Sequence, residues 1–293
     1  MTSRRRLPLS VVADGPTCAA PSVQVFLRPD GEVRACCRND RPLGNAREAT
    51  LTQIWDGPRV AELRDALGEG RFDLGCEMCG GEAAVEGPAA SYARIFDPWW
   101  TGAPARSPRR IEFNLSNACN LQCVQCDGDL SSSIRAHREH RPALTPAYDD
   151  AFFADLRSVV PHLEWASFAG GEPFLARENY VVWDMIAELH PGLAVTIVTN
   201  ATQWSDRVES VWHRLRAAPT FSIDAVTPAA FEAIRVGAAF GEVMANVDRY
   251  LGACSEPERA EVNFCLMAEN VDELPGVLGF AERLGLGVNV SIV

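Results

Sequence analysis

Lysine is absent from the chain: all 27 basic residues are arginine. A Schiff-base lysine and a P-loop lysine are thereby excluded, along with the chemistries built on them. A long apolar run is also missing, since nothing approaches the ~20 residues that a membrane helix needs. The opening MTSRRRLPLSVVADG has a basic start but lacks the apolar stretch of a secretory signal. Positive charge is in deficit, and a net charge of −12 argues against a nucleic-acid partner bound through phosphates. With neither membrane, export nor nucleic acid indicated, the expected location is the cytoplasm. The remainder is ordinary for a globular protein: 293 residues, 47% hydrophobic and 23% charged, enough for one large or two modest domains.

Cysteine is abundant instead, with ten residues. In a chain without an export signal, so many cysteines point to metal or redox chemistry rather than to disulfides. Cys254 and Cys265 are isolated in apolar surroundings and read as small buried or half-buried hydrophobes. Cys119, Cys123 and Cys126 form a tight C-x3-C-x2-C group in NACNLQCVQC, with no fourth cysteine nearby. His137 and His140 offer a Cys3His zinc alternative, at a spacing that fits no common finger. A [4Fe–4S] cluster also takes four ligands. Three thiolates would leave one iron open to a substrate or cofactor, which suits a reactive site. RIEFNLSN, residues 110–117, alternates like a strand, so the three cysteines fall in a loop after a strand, where α/β enzymes carry their chemistry.

This loop resembles the signature of the radical SAM superfamily. WASFAGGEPFL, residues 165–175, supports the resemblance, because Gly170-Gly171-Glu172-Pro173 looks like that family's GGEP motif. The resemblance implies that this motif holds the methionine amino group of S-adenosylmethionine. Glycines allow close backbone approach, and a carboxylate accepts from an ammonium. One position departs from the pattern: the residue before the third cysteine is often aromatic in the family and packs near adenine, and here it is Gln125.

Beyond the motif, periodicity predicts a helix over 177–190, a strand over 193–200 and a helix over 206–216. A strand over 220–227 and helices over 228–235 and 239–252 follow. The chain closes with a strand over 260–270, a helix over 271–285 and a strand over 287–293. Six strands alternating with helices imply a parallel sheet. The 185 residues from 109 onward are too few for a full eight-stranded barrel of ~250 residues. The expected fold class is therefore α/β, a partial (β/α)6 TIM-type barrel over 101–293, preceded by a small cysteine-rich β-hairpin/helix domain over 1–100. The chain stops on its sixth strand without a final helix, which reads as a truncation or a helix supplied elsewhere. By resemblance, Asn200, Ser222, Asp224 and Arg235 lie near the cofactor, although strand-end caps and turns have the same composition. Met244 and Met267 read as core packing, and Arg135, Arg138 and Arg141 as a solvated face.

In the N-terminal third, VQVFL and EVRACC read as a hairpin turning at Pro29-Asp30-Gly31. LTQIWDGPRVAELRDALGEG reads as one amphipathic helix, with Ile54, Leu63 and Leu67 on or near one face. The segment closes with the C-x2-C pair Cys76 and Cys79. Residues 80–108 read as a linker, with Trp99 and Trp100 packing it down. Cys18, Cys36, Cys76 and Cys79 would close one tetrahedral site, for which spacing alone leaves zinc open. Cys37 competes with Cys36, and strand alternation lets only one of them ligate. Cys18, Gly31 and Cys36 resemble the opening of SPASM and twitch auxiliary-cluster domains, here placed before the barrel. That resemblance implies an auxiliary [4Fe–4S] cluster on the four cysteines.

The resemblance implies an enzyme that reductively cleaves S-adenosylmethionine at the Cys119/Cys123/Cys126 cluster and abstracts hydrogen with the 5′-deoxyadenosyl radical. With an auxiliary cluster as electron conduit, the expected net reaction is oxidation of a peptide or a small sugar-like substrate. A flavodoxin or ferredoxin would donate electrons. A redox-neutral epimerase and a non-catalytic, zinc-stabilised binding module are the alternatives.

Overall fold

The computed structural model describes residues 15–292, so the basic N-terminal start read above lies outside the described residues. The chain divides into two compact units. The first takes in the described residues through Leu27, with Gly31–Glu112 and Tyr148–Glu164. The second takes in Arg28–Asp30, Phe113–Ala147 and the chain from Trp165 onward.

In the first unit a short helix α1 (Ala20–Val23) leads into strands β1 (Gln24–Leu27), β2 (Glu32–Arg34) and β3 (Gly44–Asn45). These pair antiparallel, with Leu27 opposite Val33 and Val33 opposite Gly44. Gly31 has the positive φ of +87° that the hairpin turn requires. β4 (Arg110–Phe113) lies beside β1. β2 ends at Arg34, not at Cys37, so both cysteines sit in the turn beyond it and strand alternation does not choose between them. The helix expected over 51–70 is two helices, α2 (Leu51–Trp55) and α3 (Pro58–Gly68). Pro58 cannot continue the first, and it starts the second at its N-terminal turn, where the missing N–H costs nothing. Leu51, Ile54, Trp55, Val60, Leu63 and Leu67 are buried, at about 1.5–3 kcal/mol for each large side chain.

Helix α4 (Glu77–Glu86) and a 3₁₀ segment over Tyr92–Trp99 occupy most of what the sequence presents as linker. The segment is anchored, not loose. Arg94 is buried, donates to the carbonyls of Pro16 and Thr17, and pairs with Asp97 at 2.6 Å. The Arg110 guanidinium lies 3.9 Å over the Trp99 ring. Helix α5 (Ser132–His137) belongs to the second unit, and α6 (Asp150–Val159) to the first, where Asp155 accepts from the N–H and hydroxyl of Thr52.

The second unit alternates strands and helices: β5 (Trp165–Phe168), α7 (Arg177–Leu189), β6 (Ala194–Thr199), α8 (Asp206–Arg214) and β7 (Ala217–Ser222). After β7 come α9 (Pro228–Ile234), α10 (Phe240–Ala253), β8 (Glu261–Leu266), α11 (Leu274–Leu284) and β9 (Gly287–Ile292). β5 to β9 are parallel and neighbour one another in chain order. This is the α/β, largely parallel architecture that the alternation implies. β7 starts at Ala217 because its pairing with β6 begins there, opposite Val195, and it stops at Ser222. Asp224 therefore lies past the strand. Trp183, Trp212, Tyr250, Phe168 and Phe221 fill the core. Met244 and Met267 are only half-buried, whereas Cys254 is buried and donates to the Ala217 carbonyl. Among the described residues no helix is long and apolar enough to cross a membrane.

Candidate iron–sulfur and cofactor sites

The sites follow from where strands end. In parallel α/β sheets, chemistry gathers at the carboxyl ends of strands. Here Gly170 and Gly171 follow β5, Asn200 follows β6, Ser222 ends β7, and Cys265 lies near the end of β8. With Cys119, Cys123, Cys126 and Arg235, these line one cleft of about 270 Å³.

The cysteine loop is built from its neighbours. β4 stops at Phe113, and 114–118 runs beside the GGEP backbone. Ala169, Gly171 and Glu172 donate their N–H groups to the carbonyls of Phe113, Ser116 and Ala118. A Cβ at position 171 would fall 2.3 Å from the Ala118 oxygen, and one at 170, with φ +106°, 2.9 Å from the Ser116 oxygen. Both glycines are therefore dictated by close packing on the cysteine loop. From the other side, Gln122 and Val124 donate to the carbonyls of Val236 and Ile234. Ser132 Oγ accepts from Cys119 N–H, and Arg138 donates to the carbonyls of Cys123 and Cys126. Arg138 is exposed, but it holds the loop, and Arg135 is buried. The reading of a merely solvated arginine face is corrected accordingly.

Glu172 is fully buried and does not line the cleft. Its carboxylate accepts from Thr199 Oγ1 at 2.9 Å, Asn200 N at 2.8 Å and Phe174 N at 3.3 Å. Burial pushes its pKa up to about 7 against those donors. Pro173 opens the buried turn that follows. Asn200 reaches Cys119 Sγ at 3.9 Å and Asn120 Oδ1 at 3.2 Å. Asp224, also fully buried, pairs with Arg235 at 2.7 Å and accepts from Gln125 at 2.7 Å. Among the lining residues that sequence reasoning missed, Gln125 and Cys265 carry polar or reactive groups. Gln125 stood out only as a departure from an aromatic, and Cys265, read as a small buried or half-buried hydrophobe, is half-buried as expected but lines the cleft because its strand ends there.

Burial first, and neighbouring thiols after it, raise the pKa of all three loop thiols, that of Cys126 to about 11. Thiols raised in this way become thiolates only beside a cationic centre, which an iron–sulfur cluster would supply. His137 and His140 are exposed.

In the first unit Cys18, Cys36, Cys76 and Cys79 line a single pocket with Asn39, Phe72, Tyr92 and Phe96. Cys18, Cys36 and Cys79 are buried, and Cys76 immediately precedes α4. Ala20 N–H donates to Cys18 Sγ at 3.4 Å and Asn39 Nδ2 to Cys76 Sγ at 3.2 Å, the kind of contact that tunes cluster sulfurs. Burial pushes the Cys18 thiol up to about 12, with Cys76 and Cys79 adding to it. Among the described residues no three His, Cys, Asp or Glu converge on one metal ion. Cys37 is exposed, 3.5 Å from Tyr92 Oη, and outside the pocket lining.

Residues 18–80 match the SPASM family, described as an iron–sulfur cluster-binding domain. An AdoMet-dependent heme synthase of Methanosarcina barkeri is 26% identical over 188 residues, which is 62% of this chain and 50% of that protein. Two solved structures share the fold. Streptococcus suis SuiB bound to precursor peptide SuiA gives a TM-score of 0.50 at 15% identity, over 64% of this chain and 39% of that one. Native anSMEcpe with bound AdoMet gives 0.50 at 14% identity, over 62% and 51%. The chain spans about half the length of the curated relative.

Proposed function

We propose that the chain is a radical SAM enzyme with a SPASM-like iron–sulfur domain, and that it performs a net oxidation of a peptide or a small sugar-like substrate. Its cofactors are S-adenosylmethionine and two [4Fe–4S] clusters. When bound, they supply a one-electron reductant and a 5′-deoxyadenosyl radical able to take hydrogen from an unactivated carbon. The fold's work is to hold and orient. Cys119, Cys123 and Cys126 hold the SAM-binding cluster and leave one iron for the cofactor. Gly170 and Gly171 bring backbone to the cleft wall, and buried Glu172 and Pro173 set its shape by locking β5 to β6. Asn200, Ser222, Asp224 and Arg235 provide polar groups for the cofactor. Cys18, Cys36, Cys76 and Cys79 hold the auxiliary cluster, fully ligated and therefore suited to electron transfer. The parallel layer is assigned as the partial (β/α)6 barrel. A flavodoxin- or ferredoxin-like donor serves the enzyme in the cytoplasm. SuiB was solved with a precursor peptide, which supports the peptide arm of the substrate class.

The observation that carries this reading is the convergence of the three thiols, the glycine pair and Arg235 on one cleft. Iron and acid-labile sulfide analysis of anaerobically reconstituted protein tests it. About eight irons are expected per chain, and about four when Cys119, Cys123 and Cys126 are replaced by Ala. Zinc in place of iron would sink it. The Cys265 thiol in the cleft favours one second reading, a redox-neutral reaction. Its S–H would give a hydrogen atom to the substrate radical, and one electron and one proton from the donor would restore the thiol. Turnover in D2O separates the two, because only the redox-neutral product carries a solvent deuterium on carbon.

A further inference from the structure

A ring of three side chains meets the first cysteine of the loop. Thr202 Oγ1 accepts from Asn120 Nδ2 and from Gln203 Nε2, each at 3.0 Å. With both lone pairs taken, its one proton goes to Asn200 Oδ1 at 2.7 Å, since the alternative acceptor, Asn120 Oδ1, is 3.3 Å away. Thr202 N–H meets the same Asn200 Oδ1 at 2.9 Å. Two donors on one oxygen leave the Asn200 amide a single orientation. Its NH2 turns to Asn120 Oδ1 at 3.2 Å and to Cys119 Sγ at 3.9 Å. The three hydrogen bonds run head to tail, from Asn120 to Thr202 to Asn200 and back, so each strengthens the next. The backbone bends to bring them together. Ala201, between Asn200 and Thr202, is fully buried with φ +56°, in the left-handed region that a residue with a Cβ avoids. Buried Asn246 holds the bend by donating to the Ala201 carbonyl at 2.9 Å, and Thr199 Oγ1 accepts from Ala201 N–H at 3.0 Å. Strain held in place by such contacts points to a task at that position.

We propose that Thr202 is a positioning residue for the cluster held by Cys119, Cys123 and Cys126. It keeps the Asn200 NH2, and not the carbonyl oxygen, toward the Cys119 sulfur, and so raises the cluster's reduction potential. The inference rests on the iron–sulfur reading above. Reduction adds negative charge to a cluster and its thiolate sulfurs, so a donor on a sulfur favours the reduced form. A carbonyl oxygen turned to the same sulfur would disfavour it. Thr202 does not line the cleft, whereas Asn200 does, so Thr202 acts through Asn200.

The experiment is an EPR-monitored redox titration of the anaerobically reconstituted protein without S-adenosylmethionine. It follows the signal that disappears when Cys119, Cys123 and Cys126 are replaced by Ala. Thr202→Val keeps the shape and removes the hydroxyl. It is expected to weaken the one-electron reduction equilibrium about threefold, which lowers the midpoint by about 30 mV. Thr202→Ser should restore the wild-type value. Asn120→Leu opens the ring from its exposed side; it should lower the midpoint likewise and serves if Thr202→Val loses iron. Asn200→Leu should lower the midpoint at least as far, and Thr202→Val should add nothing to it. A merely structural Thr202 would cost iron or stability and leave the midpoint of the remaining clusters unchanged. An unchanged midpoint in both Thr202→Val and Asn120→Leu overturns the inference alone. So does a drop that Thr202→Ser shares, or one that persists on top of Asn200→Leu. Wild-type protein without an iron–sulfur signal at this site overturns the cluster reading itself.

Discussion

Alanine at position 171 would put a methyl carbon 2.3 Å from the Ala118 oxygen, 2.7 Å from its carbonyl carbon and 2.8 Å from the Asn117 carbonyl carbon. All three are backbone atoms, so no side chain can swing away, and the cysteine loop itself must shift. Overpacking of this kind costs about 1–3 kcal/mol. The shift also breaks the 2.7 Å hydrogen bond from Glu172 N–H to Ala118 O, worth about 1 kcal/mol more. Cys119 is the next residue, so the loss falls on cluster assembly before it falls on the global fold. We expect Gly171→Ala, after reconstitution, to keep about four of about eight irons, because the pocket of Cys18, Cys36, Cys76 and Cys79 belongs to the other unit. Gly252→Ala is the control. It meets nothing within 4 Å and lies in α10, where alanine should be stabilising by about 0.5–1 kcal/mol. Iron loading in Gly171→Ala equal to wild type, with an unchanged denaturation midpoint, would refute the reasoning.

The pKa of about 7 at buried Glu172 gives a pH signature. Between its ordinary value and 7 the folded state holds a proton that the unfolded chain has released. This contribution is therefore full at low pH, and about 3 kcal/mol of stability is lost as pH rises through 7. Glu172→Gln should flatten the denaturation midpoint between pH 4.5 and 7.5, and parallel profiles would count against it. Cys36→Ser should lose the auxiliary iron while Cys37→Ser keeps it, since only Cys36 lines the pocket; metal analysis of the two variants decides. Arg138→Gln removes a guanidinium from the Cys123 and Cys126 carbonyls. The midpoint potential of that cluster should become more negative, as read by EPR-monitored titration, and an unchanged or higher potential would contradict the role given to Arg138.

The parts legible in the sequence were those where one residue type has one job. The cysteine spacings, the glycine pair and the alternation of β-branched strands with helices each carry their reading locally. Neighbour-dependent features were not legible. The break at Asp56-Gly57-Pro58 lies inside an amphipathic pattern that periodicity alone reads as continuous. The start of β7 depends on where β6 offers a partner, which moved Asp224 out of the strand. Whether Cys265 is core or cleft depends on where its strand ends. The tie from Gln125 to Asp224 spans 99 residues, and no local pattern announces it.

Helix α6 has a consequence for dissection. The polypeptide enters the first unit again at Tyr148 after already contributing Phe113–Ala147 to the second. Phe152, Leu156 and Val159 bury their side chains in that return visit. A cut at 112/113 therefore yields no clean half. The N-terminal fragment would lack the helix that meets Thr52, and the C-terminal fragment would carry a sticky apolar helix with no home. The two units are stitched rather than strung, so recombination that swaps one for a foreign counterpart must carry residues 148–164 along with it.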